Sequence, residues 1–376
     1  KCVYRNPGKF SIVGGIVAEK TDTFNEIYRY LEPPSDQMKD AAEKVRLNSF
    51  SVYLQARYFL SGQLSLIAGA RYDNETFSSG IVNPRFGMVF NRNGKRNNSN
   101  GNLILKLLHG EAYRVLPLYQ RYNYGSDYLL SHIKPEKVRT TEFEAIYLPD
   151  NNLKINLSIW YSRLTDLFIE GTNAYSTKAL DENGQPDSDF SDTRTYGFKI
   201  RADYKWKQMI AGLSYAYLDG ENEDVYYDVN RDGNYSDLFG DLIRISRHKI
   251  FGFVNYQFSR NWLLDVKFKY YGRRTSPPND LGIGHRVEYS YTDPEGIGHS
   301  VRGSGYLPAY LLVDLSFGCS SLGPAGTPLN HLACRIDVDN MFDKQYVTFS
   351  RTESIFGPRY HPQPGRRIRL VLSYRF

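Results

Sequence analysis

Hydrophobic and polar positions alternate along this chain with a period of two, and they do so again and again. In Thr195–Trp206, the residues Phe198, Ile200, Ala202, Tyr204 and Trp206 interleave with Lys199, Arg201, Asp203 and Lys205. In Asn152–Ser162, Leu153, Ile155, Leu157, Ile159 and Tyr161 interleave with Lys154, Asn156, Ser158 and Trp160. Leu263–Tyr271 and Phe50–Leu60 read the same way. Successive side chains of a strand point to opposite faces, so each segment has one apolar face and one polar or mixed face. The pattern predicts fourteen strands, at 9–19, 48–60, 63–73, 83–92, 101–113, 137–148, 152–168, 194–206, 208–219, 247–258, 261–272, 308–319, 331–341 and 365–376. Within the intervening stretch 20–47, Asp36–Val45 reads as a short surface helix inside a long loop.

The predicted connections alternate in length. Ser61-Gly62, Pro149–Asn151 and Ser259-Arg260 are tight, whereas those after 113, 168, 219 and 272 run to some twenty residues or more. Short turns at one end and long loops at the other is the asymmetry of outer-membrane barrels, whose short turns are periplasmic. A doubled β-sandwich would also need many strands, but shorter ones and no such alternation. The fold class is therefore all-β, an antiparallel transmembrane β-barrel, with residues 1–376 as one domain.

Composition supports the membrane. The 376 residues include 31 Tyr and 21 Phe, an aromatic content of 15%, yet mean hydropathy is −0.50. Aromatic girdles combined with a polar lumen reconcile those two numbers. No run of 18 apolar residues suggests a transmembrane helix. No signal peptide is apparent at Lys1. The net charge of +6 is spread with acids interleaved, which argues against a nucleic-acid partner. Three cysteines exclude a disulfide-rich scaffold. Cys319 and Cys334 fall near the same ends of adjacent predicted strands, with the same parity, so a cross-strand disulfide is one arrangement open to them; Cys2 has no evident partner. Gly-x-Ser-x-Gly, His-Glu-x-x-His and a phosphate loop are all missing, and no catalytic constellation stands out.

The last strand places Ile368, Leu370, Leu372, Tyr374 and Phe376 on one face and Arg367, Arg369, Ser373 and Arg375 on the other. An alternating strand that ends on an aromatic residue is the pattern read by the outer-membrane insertion machinery, so Tyr374 and Phe376 are the expected insertion signal.

Several segments together resemble TonB-dependent outer-membrane receptors. Val338-Asp339-Asn340-Met341-Phe342-Asp343-Lys344-Gln345-Tyr346 is similar to the family's penultimate-strand motif, and Pro364-Gly365-Arg366 follows in the family's order. Gly110-Glu111-Ala112-Tyr113-Arg114-Val115-Leu116-Pro117 is similar to its Gly-x-x-Tyr-Arg-x-Pro signature, with one extra residue before Pro117. Lys134-Pro135-Glu136-Lys137 with Glu142, Gly69-Ala70-Arg71-Tyr72-Asp73 and Asn83-Pro84-Arg85-Phe86-Gly87 fit further segments of the family. The resemblance implies a barrel of about 22 strands, filled by an N-terminal plug that contacts TonB. It implies uptake of scarce ligands such as ferric siderophores, cobalamin, haem or glycans. Fourteen strands counted back from the C-terminus make strand 9–19 the family's ninth, with Cys2–Tyr4 as the tail of the eighth and Asn6-Pro7-Gly8 as its turn. The plug and the first strands would then come from the same precursor or from another chain, because open sheet edges in lipid are costly. A passive porin-like channel and a structural barrel subunit of a larger outer-membrane assembly are the alternatives.

Three groups of side chains are candidate sites. Arg114, Tyr119, Arg121, Tyr122, Tyr124 and Tyr128 form an aromatic and basic stretch that could stack on sugars or catechols and clamp carboxylates, or simply belong to a girdle and its loop. Tyr289, Tyr291, His285 and His299 are a weaker second set. Asp228, Asn230, Asp232 and Gly233 match positions 1, 3, 5 and 6 of a calcium loop. Its twelfth position is Phe239 rather than Glu, so Asp237 or Asp241 would have to close the shell of a structural calcium; the alternative is an acidic surface loop. Lys106, Glu142, Glu144, Lys154, Lys199, Arg201, Asp203, Asp265, Lys267, Asp314, Arg335, Asp337 and Arg369 are expected to point into the lumen, where they would solvate it and bind the plug.

Overall fold

A computed structural model describes residues 2–6, 9–27, 41–76, 78–92, 101–115, 134–168, 190–223, 245–275, 306–324, 326–351 and 359–374, with short pieces of the intervening loops. The chain is all-β. Fifteen strands form one antiparallel sheet in which every strand lies beside its neighbour in sequence. They are β1 (Cys2–Asn6), β2 (Phe10–Ile27), β3 (Ala41–Phe59), β4 (Leu64–Glu75), β5 (Ser78–Arg92), β6 (Asn102–Arg114), β7 (Glu136–Leu148) and β8 (Leu153–Phe168). There follow β9 (Phe190–Trp206), β10 (Met209–Glu223), β11 (His248–Gln257), β12 (Trp262–Tyr271), β13 (Tyr310–Cys319), β14 (Leu332–Asp339) and β15 (Arg367–Tyr374). β1 and β15 stand at the two ends of that order. Contacts divide the chain into two compact units, residues 1–91 with 105–143 and 161–194, and residues 92–104 with 144–160 and 195–376.

Fourteen of these are the strands that alternation predicts. The fifteenth, β1, is the expected strand tail, and it pairs with β2 from Cys2↔Gly14 to Asn6↔Phe10. One expectation fails. Ala41–Val45 is not helical: it extends β3, which pairs with β2 as far as Ile27↔Ala41. Asp36–Asp40 lie outside the described residues. The charged residues of the stretch 20–47 argue against strand by composition, but two of them pair across the hairpin. Asp22 faces Arg46 in register, and Arg46 Nε donates to Asp22 Oδ1 at 3.0 Å. Cross-strand pairs of this kind support strand where composition alone does not.

The tight turns share one device. Ser61 Oγ accepts from the amides of Gln63 and Leu64, Asp150 Oδ1 from Asn152 and Leu153, and Ser259 Oγ from Asn261 and Trp262. Each side chain satisfies amides that the turn withdraws from the ladder. Between β9 and β10, Lys207 takes a left-handed backbone (φ 49°) and its ammonium lies 5.2 Å from the centre of the Trp206 ring.

Within each unit the sheet has an apolar and a polar face. Leu54, Tyr72, Phe86, Leu107 and Phe143 are exposed in the first unit, and Ile159, Leu213, Val254 and Leu370 in the second. Among the described residues, buried apolar side chains are few, whereas Ser51, Ser65, Asp73, Asp192, Asp337 and Asn340 are buried. That inverts the rule for a soluble domain. Tyr256, Phe258, Trp262 and Phe317 cluster at the turn end of β11–β13, with Trp262 and Phe317 ring centres 5.0 Å apart. Such clusters are the stuff of an interfacial girdle.

Candidate functional site

The polar face of the first unit carries a built cluster. Glycine-containing segments 69–73 and 83–87 face each other across β4 and β5, with Arg71↔Asn83 and Gly69↔Arg85 in register. Asp73, 1% exposed, sits at the centre. Its Oδ1 accepts from Ser51 Oγ at 2.6 Å and from Arg71 Nε at 2.6 Å, and its Oδ2 accepts from Asn83 Nδ2 at 3.1 Å. Arg71 Nη2 also donates to Ser51 Oγ at 2.9 Å. A buried carboxylate is tolerated only when it is satisfied in this way. Beside it, Arg85 Nη1 donates to Gln55 Oε1 (2.9 Å) and Tyr113 OH to Glu75 Oε1 (2.7 Å). These groups line an open cavity of about 550 Å³ together with Tyr53. Its walls combine rings, amides and guanidinium groups, which suits a polar ligand or another protein surface.

In the second unit several of the predicted inward-facing residues meet as ion pairs. Arg201 binds Asp203 through Nε and Nη2, Lys267 lies 3.2 Å from Asp265, and Lys269 donates to Asp314 at 2.8 Å. Asp337 accepts from Ser316 and Arg335 and lies 3.5 Å from Arg369. Asn156 donates to Glu144. Glu142 shares the parity of Glu144 on β7, and Lys154 that of Asn156 on β8. Of the expected polar network, these contacts join Glu144, Arg201, Asp203, Asp265, Lys267, Asp314, Arg335, Asp337 and Arg369 to polar neighbours.

The sequence motifs resolve into locks between neighbouring segments. Arg114 and Glu136, from two separate motifs, form a two-pronged ion pair. Asn340 is buried with a left-handed backbone (φ 52°). Its amide donates to Asp314 Oδ1, its Nδ2 donates to the Lys344 carbonyl and its Oδ1 accepts from the Lys344 amide, each at 2.9 Å. Asp343, also left-handed (φ 52°), accepts from the Arg366 amide through Oδ1, so the motif reaches the approach to β15. Tyr346 packs on Tyr310 with ring centres 4.6 Å apart.

The other predicted sites divide by what is described. Of the aromatic and basic stretch, only Arg114 is described, and its guanidinium is held by Glu136; Tyr119, Arg121, Tyr122, Tyr124 and Tyr128 lie outside the described residues. So do Asp228, Asn230, Asp232, Asp237 and Asp241 of the calcium loop, and His285. Tyr289, Tyr291 and His299 fall on a paired ribbon, Val287–Thr292 with Gly298–Gly303, whose side chains are not described. Tyr374 ends β15 opposite Leu332, and Phe376 lies outside the described residues. Cys319 and Cys334 face each other in register as free thiols, and Cys319 Sγ donates to the Ser321 carbonyl. The Asp73 cluster was not singled out from sequence. Its signal was the polar parity Ser51-Tyr53-Gln55 beside the two motif hairpins, but nothing local says that Asp73 is buried.

Comparisons with known proteins agree with this architecture. The family model for "TonB dependent receptor-like, beta-barrel" matches residues 9–341. None of the curated proteins matches the chain. Among solved structures, the copper transporter OprC superposes with a TM-score of 0.65 at 16% identity, covering 100% of this chain and 55% of that one. The FrpB iron transporter from Neisseria meningitidis gives 0.61 at 18% identity, covering 100% and 54%. The ferripyoverdine receptor of the outer membrane of Pseudomonas aeruginosa, bound to ferripyoverdine, gives 0.64 at 13%, covering 99% and 47%. The chain therefore spans about half the length of the structures it matches. With the strand ladder, the two-faced sheet and a family match over most of its length, the chain belongs to the TonB-dependent receptor β-barrel family.

Proposed function

We propose that the chain is the barrel part of an outer-membrane receptor that takes up a scarce ligand with energy delivered through TonB. The two-faced sheet carries this reading: apolar side chains exposed on one side, and on the other a lattice of ion pairs around Asp73, Asp203, Asp314 and Asp337. The first face suits lipid and the second a lumen that holds a plug. TonB acts through a plug domain held in that lumen. The ligand is of the ferric siderophore, cobalamin, haem or glycan type, and the structural relatives include a copper transporter and an iron transporter. Arg114, Tyr119, Arg121, Tyr122, Tyr124 and Tyr128 are the proposed capture residues. Tyr374 and Phe376 serve the insertion machinery.

The test is growth of a Gram-negative host that lacks its own uptake receptors and carries the full-length receptor gene, on a panel of ferric siderophores, haemin, cobalamin and oligosaccharides. Growth on one of them that disappears when tonB is deleted supports the reading. Growth or ion conductance independent of TonB would make the protein a passive channel, and insertion without uptake of any compound would leave a structural barrel. The Asp228–Asp237 loop is proposed to hold calcium. Chelation should then lower the thermal midpoint of the purified protein, and Asp228→Asn with Asp232→Asn should abolish that response. An unchanged midpoint on chelation removes calcium from the proposal.

A further inference from the structure

The β13–β14 ladder ends on two thiols that the uptake reading does not use. It starts at Leu315↔Val338 and closes at Cys319↔Cys334, where the two cysteines are directly opposed. Ser316 Oγ donates to Asp337 on the polar face, so Phe317 and Cys319 of β13 and Ile336 and Cys334 of β14 alternate onto the other face. Directly opposed residues keep their Cα atoms about 4.5–5.5 Å apart, within the span of a disulfide, and aim both Cβ atoms the same way. A disulfide also brings the Cβ atoms to about 3.8 Å, closer than the roughly 4.5–5.5 Å of an ordinary opposed pair. The end of a ladder is where that approach costs least. Past the cysteines the regular register is already broken, because Leu322 rather than Ser321 donates to the Leu332 carbonyl, at 3.0 Å.

The two sulfurs differ in access. Cys319 is 3% exposed, whereas Cys334 is half-buried. Among the described residues, no third His, Cys, Asp or Glu joins them in a group fit to hold a metal. The chemistry left to the pair is with each other. The fold has a use for it. The β13–β14 ladder is short, whereas β12 pairs with β13 all the way from Trp262↔Cys319 to Tyr271↔Tyr310. Yet β14 is the strand that carries β15, from Leu332↔Tyr374 to Asp339↔Arg367. A covalent link at Cys319 and Cys334 would close the short loop that contains the 3-10 turn Pro328–His331, and would fix the register of the hairpin on which β15 is laid.

We propose that Cys319 and Cys334 are joined as a disulfide when the receptor passes through the periplasm, stapling β13 to β14 at their short-turn end. The inference rests on the outer-membrane placement proposed above, which takes the chain through an oxidising compartment. The oxidant is the disulfide of a periplasmic thiol oxidase. The Cys334 thiolate, the more accessible of the two, attacks one oxidant sulfur and breaks the oxidant's S–S bond, giving a mixed disulfide and one oxidant thiol. The Cys319 thiolate then attacks the Cys334 sulfur and releases the second oxidant thiol. Two receptor thiols are oxidised, one oxidant disulfide is reduced, and both protons end on the oxidant. The second step is intramolecular, so the burial of Cys319 does not hinder it.

The experiment uses the full-length receptor taken from outer membranes and denatured in N-ethylmaleimide, with and without prior reduction. Trypsin leaves both cysteines on one peptide, Gly303–Arg335, which mass spectrometry follows. Without reductant that peptide should be lighter by two hydrogens, and its alkylation should be at least about ten-fold lower than after reduction. A host that lacks the periplasmic oxidase should narrow the difference. Cys334→Ser should leave Cys319 fully alkylated without reductant, and the wild-type comparison stands even where that variant does not assemble. Equal alkylation with and without reductant overturns the inference, and so does a bond from either cysteine to Cys2. Free thiols in receptor recovered from the outer membrane overturn this inference alone. A chain that never reaches that membrane overturns the placement, and the inference with it.

Discussion

Asn340 shows how much one residue of a motif can hold. Its left-handed backbone suits Asn better than most residues, because a short amide can bond its own surroundings there. Its side chain closes a ring with the Lys344 backbone, and its amide reaches Asp314. Asn340→Gly keeps the backbone and loses the two side-chain bonds, about 1–2 kcal/mol at typical values for a hydrogen bond. Asn340→Ala adds a left-handed cost of roughly 1 kcal/mol. Urea titration of the folded protein in detergent should therefore rank wild type above the Gly variant and the Gly variant above the Ala variant. Equal midpoints for Gly and Ala would mean that the backbone conformation is not at issue. The motif was legible in the sequence as a run of letters. Its reason was not, because Asp314 and Arg366 approach it only through pairing of β13, β14 and β15.

At the scale of elements, the alternation of small and aromatic residues across neighbouring strands sets how closely they pack. Gly212 lies opposite Phe253, and Gly252 lies opposite Phe268. A Cβ placed on Gly252 would stand 2.1 Å from the Phe268 ring, and one on Gly212 would stand 2.3 Å from Phe253. The rings cover the glycine backbone, a recognised support for glycine in a strand. Gly252→Ala should destabilise the sheet by about 1–3 kcal/mol, the usual range for overpacking. Phe268→Leu in the same chain should recover part of it, since residues in contact are coupled. A double-mutant cycle read from unfolding midpoints checks this, and strict additivity would show that the pair does not interact. Strand positions followed from period two. Their lengths did not, because the outer reaches of β2 and β3 rely on cross-strand partners such as Asp22 and Arg46 rather than on their own hydrophobicity.

For the molecule as a whole, the two faces assign opposite solvents, and neighbouring residues of one strand can test that. Val254 is on the exposed apolar face of β11, and Asn255 is opposite Asp265 on the polar face. Arg on the lipid face near the bilayer midplane costs about 2–4 kcal/mol, so Val254→Arg should reduce the heat-modifiable folded band recovered from outer membranes. Asn255→Lys gains an opposite charge across the ladder and should assemble as wild type does. Equal recovery of the two variants would show that the exposed face does not meet lipid.

The amino-acid sequence by itself determined the strands, their order and the split between an apolar and a polar face, because alternation is a local property of every strand and tight turns join neighbours. The family's signature segments were legible for the same reason. Only the tertiary structure decided which polar residues matter together. Asp73 gathers Ser51, Arg71 and Asn83 from three strands, and Arg114 meets Glu136 across a long loop. Those groupings depend on register and burial, which arise between strands and are written in no single one of them. The terminal strand follows the same division. Its alternation marks it as a barrel strand in sequence, while pairing shows β15 held by β14 along one edge, exposed over its whole length, and tied through Asp343 to the motif before it.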